Sequence, residues 1–254
     1  MFMSSSVKRT FMLLELLGNA DQSLGVSALA QQSQLPLGTV HRLLNTLKQL
    51  GYVEQDAETH KYTLGLRFLN LRGAIINQLN LAAVAMPVMK ELMQRVNETV
   101  HLAVFNEGEI VYIERVEGLN TQGMYTRIGK RAPAHCTALG KTLLAHMPCE
   151  IVTDVLARHG MRRMTAKTIV TPQALEQDLE RTRQRGFAVD DEEIEDGIRC
   201  IAAPIRDYTD AVCAAISISG PKTRVRADRE AELSKAVIWA ASLISTKLGY
   251  LGSQ

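Results

Sequence analysis

What this chain lacks narrows it first. Its four cysteines, Cys136, Cys149, Cys200 and Cys213, include no CxxC pair and form no compact framework. That spacing excludes a disulfide-stapled secreted scaffold. Residues 1–9 have no apolar core of the kind a signal peptide carries. The longest apolar runs, such as 81–89, fall far short of the ~20 residues a membrane helix needs, and Pro87 interrupts that one. A cytoplasmic protein with no membrane partner is therefore expected. No G-x-S-x-G elbow and no H-E-x-x-H pair is present, which removes the common hydrolase and zinc-protease signatures. There is no fixed-period repeat and no low-complexity stretch. Charge of one sign is scarce as well, with a net of only +2. Seven Lys/Arg against five Asp/Glu in residues 1–80 account for all of it, because the remainder holds twenty-two of each. A slight cationic bias in the first part is weak support for a nucleic-acid partner, since affinity depends on where cations sit.

What is present suits an ordinary soluble protein: 46% hydrophobic and 22% charged residues over 254 positions. At about 100–200 residues per domain, that length is comfortable for two. The pattern changes near residue 80. Before it, 7–17 and 26–33 read as helices, a Leu35-Pro36-Leu37 turn follows, and a third helix runs to Leu50. In that helix Val40, Leu43, Leu44 and Leu47 recur at i, i+3, i+4 and i+7, one inward stripe. Strand-like runs at 52–55 and 61–64 flank a polar tip, which predicts a hairpin. Residues 65–80 and 81–96 read as helices. Beyond them strands are expected at 99–105, 110–116, 187–190, 200–207 and 212–219, and helices at 137–146, 151–159, 172–185 and 228–248.

Three helices, a tight turn and a hairpin in that order predict a winged helix-turn-helix. Its last helix must pack one face inward and offer donors to a groove on the other. The outward face carries Thr39, His41, Arg42, Asn45 and Lys48. Arginine and lysine can bond guanine or phosphate, and asparagine can bond adenine bidentately. The helix is about 20 Å long at about 1.5 Å per residue, enough to lie in a major groove. His60 and Lys61 sit where a wing would reach the backbone, and Lys8 and Arg9 could clamp a phosphate. The competing reading is that any amphipathic helix has a polar outer face.

Two other functions compete on the residues alone. Cys136 beside His135, or Ser217 and Ser219 with a distant His101, could suggest a hydrolase nucleophile. Exposed thiols of low pKa could make a redox sensor. A zinc site from His135, Cys136 and His146 lacks a recognisable ligand spacing. No catalytic residue, metal or cofactor is expected.

The stretch LGVSALAQQSQLPLGTVHRLLNTLKQLGYVEQD, followed by KYTLG, resembles the IclR family of bacterial transcriptional regulators. The resemblance continues through ETVHLAV, YTRIGKRAPAHCTALGKTLLA, GFAVDDEEIEDGIRCIAAPI and AAISISGP. It thus spans about residues 7–250. One departure is Gly38, where the family usually has a serine that meets phosphate. The resemblance implies an α+β (α/β) chain: a winged helix-turn-helix over 1–64, a linker helix over 65–80, and an effector-binding domain over 81–254. That last domain would be GAF-like, a mixed or antiparallel sheet with helices. It also implies a repressor that binds a palindrome-like double-stranded DNA operator as a homodimer or homotetramer.

Relatives that bind small organic acids use backbone amides of the loop-helix segment, an aspartate before DEE, a cysteine after G-x-R and the serines of SISG. Carried over by motif, these land on Ala138, Leu139, Asp190, Cys200, Ser217 and Ser219, with Met124 and Ile198 as apolar wall positions. The family often has glycine where Ala138 stands. The resemblance therefore implies an organic-acid or sugar-acid effector, and Asp190 suggests a hydroxylated one. Without it, Cys200 and Cys213 would read as core, the serines as backbone-satisfying, and 190–196 as a solvated acidic loop.

Overall fold

The apolar spacing of the third helix builds what it predicts. In the computed structural model, which describes residues 5–20, 22–69, 71, 81–118 and 127–252, that helix is α3 (Leu37–Gln49). Val40, Leu44 and Leu47 are buried against Leu13 and Leu17 of α1 (Ser5–Gly18) and Leu29 of α2 (Val26–Ser33). Gln34 ends α2 in the left-handed region, φ 54°, and its amide bonds back to the last turn. Gly51, φ 76°, ends the chain's passage through α3 in the same way. Strands β1 (Val53–Gln55) and β2 (Tyr62–Leu64) pair antiparallel, and Val53 and Tyr62 complete the core. The hairpin tip is built by Asp56, whose Oδ1 accepts from the amides of Glu58 and Thr59 and from the Thr59 hydroxyl. Those bonds hold the Asp56 carboxyl below its ordinary range.

The chain divides into two compact units, Met1–Gln78 and Leu79–Gln254. The linker helix expected over 65–80 lies largely outside the described residues, although 67–69 and 71 are helical.

The second unit is a six-stranded sheet in the order β5-β4-β3-β8-β7-β6, antiparallel throughout. Its strands are β3 (Thr99–Asn106), β4 (Glu109–Val116), β5 (Arg131–Pro133), β6 (Ala188–Asp191), β7 (Ile198–Arg206) and β8 (Val212–Pro221). Alternation along each strand sorts the side chains onto two faces. Val100, Leu102, Ile201, Ala203, Ile205, Ile216 and Ile218 pack beneath α4 (Leu81–Val96) and the long α8 (Glu230–Lys247). The opposite face carries small residues, Ala103, Ala202 and Ala215, under α5 (Ala138–Leu144). A further layer, α6 (Cys149–His159) and α7 (Pro172–Arg185), packs outside α5 through Val152, Val155, Leu175 and Leu179.

Pro87 stands inside α4 without ending it. The edge strand β5 and the 3-10 turn Ala227–Arg229 before α8 were not expected from the sequence.

Candidate functional site

Two surfaces gather the residues singled out by sequence. On the first unit, α3 buries Val40, Leu44 and Leu47, with Leu43 half-buried beside them, which leaves His41, Arg42, Asn45 and Lys48 exposed; Thr39 is half-buried. His41 Nδ1 and Asn45 Nδ2 lie 3.3 Å apart, one turn along the helix. Lys48 reaches instead to Gln55 of β1, 2.9 Å, and Gln55 in turn donates to the His60 carbonyl, so this lysine is tied to the hairpin. Among the described residues the Arg42 guanidinium has no ion pair, and no side-chain hydrogen bond ties it to the protein. Lys8, Arg9, His60 and Lys61 are exposed. A Cβ on Gly38 would meet nothing within 4 Å, so packing does not force the loss of a hydroxyl there.

On the second unit, the small-residue face beneath α5 holds a polar row. Asp190 of β6 pairs with Cys200 of β7, Cys200 with Ser219 of β8, and Ser219 with Thr99 of β3. Ser217 lies one step along, between Ala202 and His101. Thr99, His101, Asp190, Ser217 and Ser219 are all buried. Ala138 and Leu139 open α5 above this face, and Thr137 caps it by accepting the Gly140 amide at 3.1 Å. Gly140 is required: a Cβ there would fall 2.3 Å from the Ala134 carbonyl oxygen. Ile198, half-buried, opens β7 on the Cys200 face, whereas Met124 lies outside the described residues.

The row is under-satisfied. Thr99 Oγ1 and Ser217 Oγ are buried with no hydrogen-bond partner among the described residues. Asp190 Oδ1 accepts the Glu193 amide at 2.7 Å, while Oδ2 has no hydrogen-bond partner among the described residues. Each such orphan costs about 1–3 kcal/mol if nothing binds it. Burial is the main force raising the Asp190 carboxyl to about 7, with Glu193 adding to it. His101 is driven down to about 3 by burial and by the Arg115 charge, so it is a neutral imidazole.

The acidic run after Asp190 is only in part the solvated loop that its composition suggested: Asp191, Glu195 and Asp196 are exposed. Glu192 and Glu193 are both buried. Glu192 binds Lys167 at 2.6 Å and Lys222 at 2.8 Å, which hold its carboxyl down at about 2. Glu193 and Asp178 of α7 flank the buried Lys141 of α5, with the Asp178 contact at 2.8 Å. Thr165 and Thr168 donate to the carbonyls of Glu192 and Glu193, both at 2.7 Å.

The family model described as Bacterial transcriptional regulator IclR C-terminal matches residues 73–246, and the one described as IclR helix-turn-helix domain matches 6–57. The chain belongs to the IclR family. It is 38% identical over 246 residues to the HTH-type transcriptional regulator KdgR of Dickeya chrysanthemi, covering 97% of this chain and 80% of that one. The crystal structure of the repressor BlcR of Agobacterium tumefaciens is similar with a TM-score of 0.80 at 28% identity, covering 97% of this chain and 98% of that one. An IclR homologue of Microbacterium hydrocarbonoxydans, solved in complex with 4-hydroxybenzoate, is similar with a TM-score of 0.61 at 28% identity, covering 96% and 99%.

As an IclR-family protein it is a helix-turn-helix transcriptional regulator, and the family is not one of enzymes. Burial pushes Cys136 up to about 12 and Cys213 up to about 11, and raises Cys200 well above its ordinary value, so all three stay thiols at neutral pH. Cys149 is exposed. The sheet sets His101 beside Ser217, yet Ser217 Oγ has no hydrogen-bond partner among the described residues and so donates to no base there. His135 Nε2 is engaged by the Arg162 carbonyl and His146 Nδ1 by the Thr142 carbonyl. Among the described residues no cluster of three metal-ligating side chains occurs, and no helix is long and apolar enough to cross a membrane.

The raised Asp190 carboxyl carries a stability signature. A carboxyl whose folded pKa lies above its unfolded value stabilises fully below the unfolded pKa, and that contribution is lost as pH rises through the folded one. Asp190→Asn should therefore gain on the wild type between about pH 4 and pH 7, and the gap should be flat above. Urea unfolding of both proteins across that range checks this; a gap independent of pH would contradict it.

Proposed function

We propose that this regulator grips its operator with the exposed face of α3, using Thr39, His41, Arg42, Asn45 and Lys48 together with Gly38. Lys8, Arg9, His60 and Lys61 take the flanking phosphates. We further propose that a small hydroxylated organic acid or sugar acid binds under α5 and changes operator affinity. Ala138, Leu139, Asp190, Cys200, Ser217 and Ser219 are its polar contacts, with Ile198 as apolar wall. Symmetry supports a homodimer, because two recognition helices must meet successive major-groove faces about one turn apart.

The observation that carries the effector reading is the buried row with orphaned oxygens at Asp190 and Ser217. With its carboxyl raised to about 7, Asp190 is readily protonated near neutral pH, and the protonated form can donate to a ligand that an ionised aspartate would repel. That the homologue solved with 4-hydroxybenzoate holds a hydroxylated acid is in keeping with this.

The test is a mobility shift on operator DNA, titrated with salt and with candidate acids. Wild-type protein should bind with a steep salt dependence, and one class of acid should change that affinity. Asp190→Ala and Ser219→Ala should abolish the response to the acid while operator affinity stays within about twofold. Calorimetry showing the acid bound unaltered by both variants would reject the site.

A further inference from the structure

The polar row does not stop where the family motifs stop. Its fourth position is Thr99 on β3, directly opposite Ser219 and fully buried, with a hydroxyl that bonds nothing among the described residues. Thr99 lies in the ETVHLAV stretch, to which no binding role has been attached. Beside it on the same face, His101 stacks edge-on against Tyr112 of β4, ring centroids 5.2 Å apart. Tyr112 packs onto the patch formed by Ala103, Ala138, Leu139 and Ala202, and its phenol lies within electrostatic range of Cys200, Asp190 and Cys136. A tyrosine rooted two strands away from Ser219 in the sheet thus brings a hydroxyl toward the same site.

We infer that Thr99 and Tyr112 are recognition residues at the β3–β4 side of the effector site, and that they select a long, polyhydroxylated acid over a short one. This rests on the effector reading above. Neighbouring strands are about 4.8 Å apart, so the row from Asp190 to Thr99 spans about 14 Å of backbone. An extended chain gains roughly 1.2 Å per bond. A two-carbon acid therefore cannot bridge even one strand spacing, whereas a six-carbon polyhydroxy acid extends about 6 Å, enough to bridge the step from Ser219 to Thr99, and carries hydroxyls along its chain beyond the carboxylate. Thr99 Oγ1 can both donate and accept, and so can the Tyr112 phenol, which matches a polyol chain and not an apolar tail.

Calorimetry on the full-length protein, with glyoxylate, D-glycerate and D-gluconate as probes, tests the inference. The variants are Thr99→Val, which keeps the shape and removes the hydroxyl, and Tyr112→Phe, which keeps the ring. Wild type is expected to bind gluconate more tightly than glyoxylate. Each variant is expected to lose about three- to tenfold in gluconate affinity, one hydrogen bond's worth, with glyoxylate affinity unchanged. Far-UV circular dichroism confirms that each variant is folded, and the two lie on different strands, so a defect in one leaves the other decisive. Gluconate bound equally by wild type and both variants overturns the inference but leaves the effector reading standing. The same follows if glyoxylate and gluconate weaken in parallel, or if wild type binds glyoxylate alone. A wild type that binds no acid at all overturns both.

Discussion

Lys141→Met should destabilise the second unit by about 3–5 kcal/mol, the cost of breaking a buried ion cluster by removing one partner. Lys141 is only 1% exposed and lies between Glu193 and Asp178. Burial works to lower its pKa, but the charges and hydrogen bonds of Glu193 and Asp178 outweigh burial and raise it. Methionine fills a similar volume, so the loss is electrostatic and not a cavity. Two carboxylates remain facing each other in a place with little water. Burial already holds Glu193 above its ordinary value with the lysine present. Without it the pair takes up protons more readily, and carboxyls of raised folded pKa stabilise at low pH and lose that contribution as pH rises. The deficit against wild type should thus be smaller at pH 5 than at pH 8. Replacing all three, Lys141→Met with Asp178→Leu and Glu193→Leu, should recover much of the loss, because no orphaned charge remains. Chemical unfolding of the three proteins at both pH values is the check. A single variant within about 1 kcal/mol of wild type would mean that water reaches the cluster freely.

That cluster also marks where sequence reading runs out. The α3 stripe was legible because helix periodicity is local: Val40, Leu44 and Leu47 announce a buried face within ten positions. The same holds for the alternation in β7 and β8, whose Ile201, Ala203, Ile216 and Ile218 all pack beneath α4 and α8. The acidic run misled because its partners are remote. Glu193 meets Lys141, 52 residues away, and Glu192 meets Lys167 and Lys222, at 25 and 30. Nothing in a composition of Asp and Glu tells a solvated loop from one neutralised by distant lysines. Strand β5 escaped because three residues, two of them Arg and Pro, carry no alternation of their own. Thr99 and Tyr112 escaped for a related reason: each sits in an ordinary strand pattern, and only the register against Ser219 and the packing on Ala138 give them a place.

On the operator side, Arg42→Ala should cost about 1–3 kcal/mol of specific affinity per half-site, the worth of a bidentate contact to a guanine edge. Of the two cations on the polar face of α3, Arg42 is the one that no contact among the described residues ties down. His41 and Asn45 lie within reach of each other, and Lys48 is held by Gln55. Each of those side chains must release or share an existing contact before it reaches a base. Arg42 has no such tie among the described residues, so its forked donors can meet N7 and O6 of guanine without breaking an existing contact. On a two-fold symmetric operator each substitution removes a contact twice, and the loss doubles. Lys61→Ala at the hairpin tip is the contrasting variant. A phosphate contact there should weaken binding to every sequence alike and flatten the salt dependence by about one ion, leaving the preference for operator over random DNA unchanged. Arg42→Ala should do the reverse, relaxing the preference at one base pair per half-site. Titrations on operator and random duplexes at several salt concentrations separate the two. An Arg42→Ala protein that keeps both its affinity and its base preference would mean that α3 presents a different edge to the groove. Thr39 and Asn45 would then have to carry the reading of sequence.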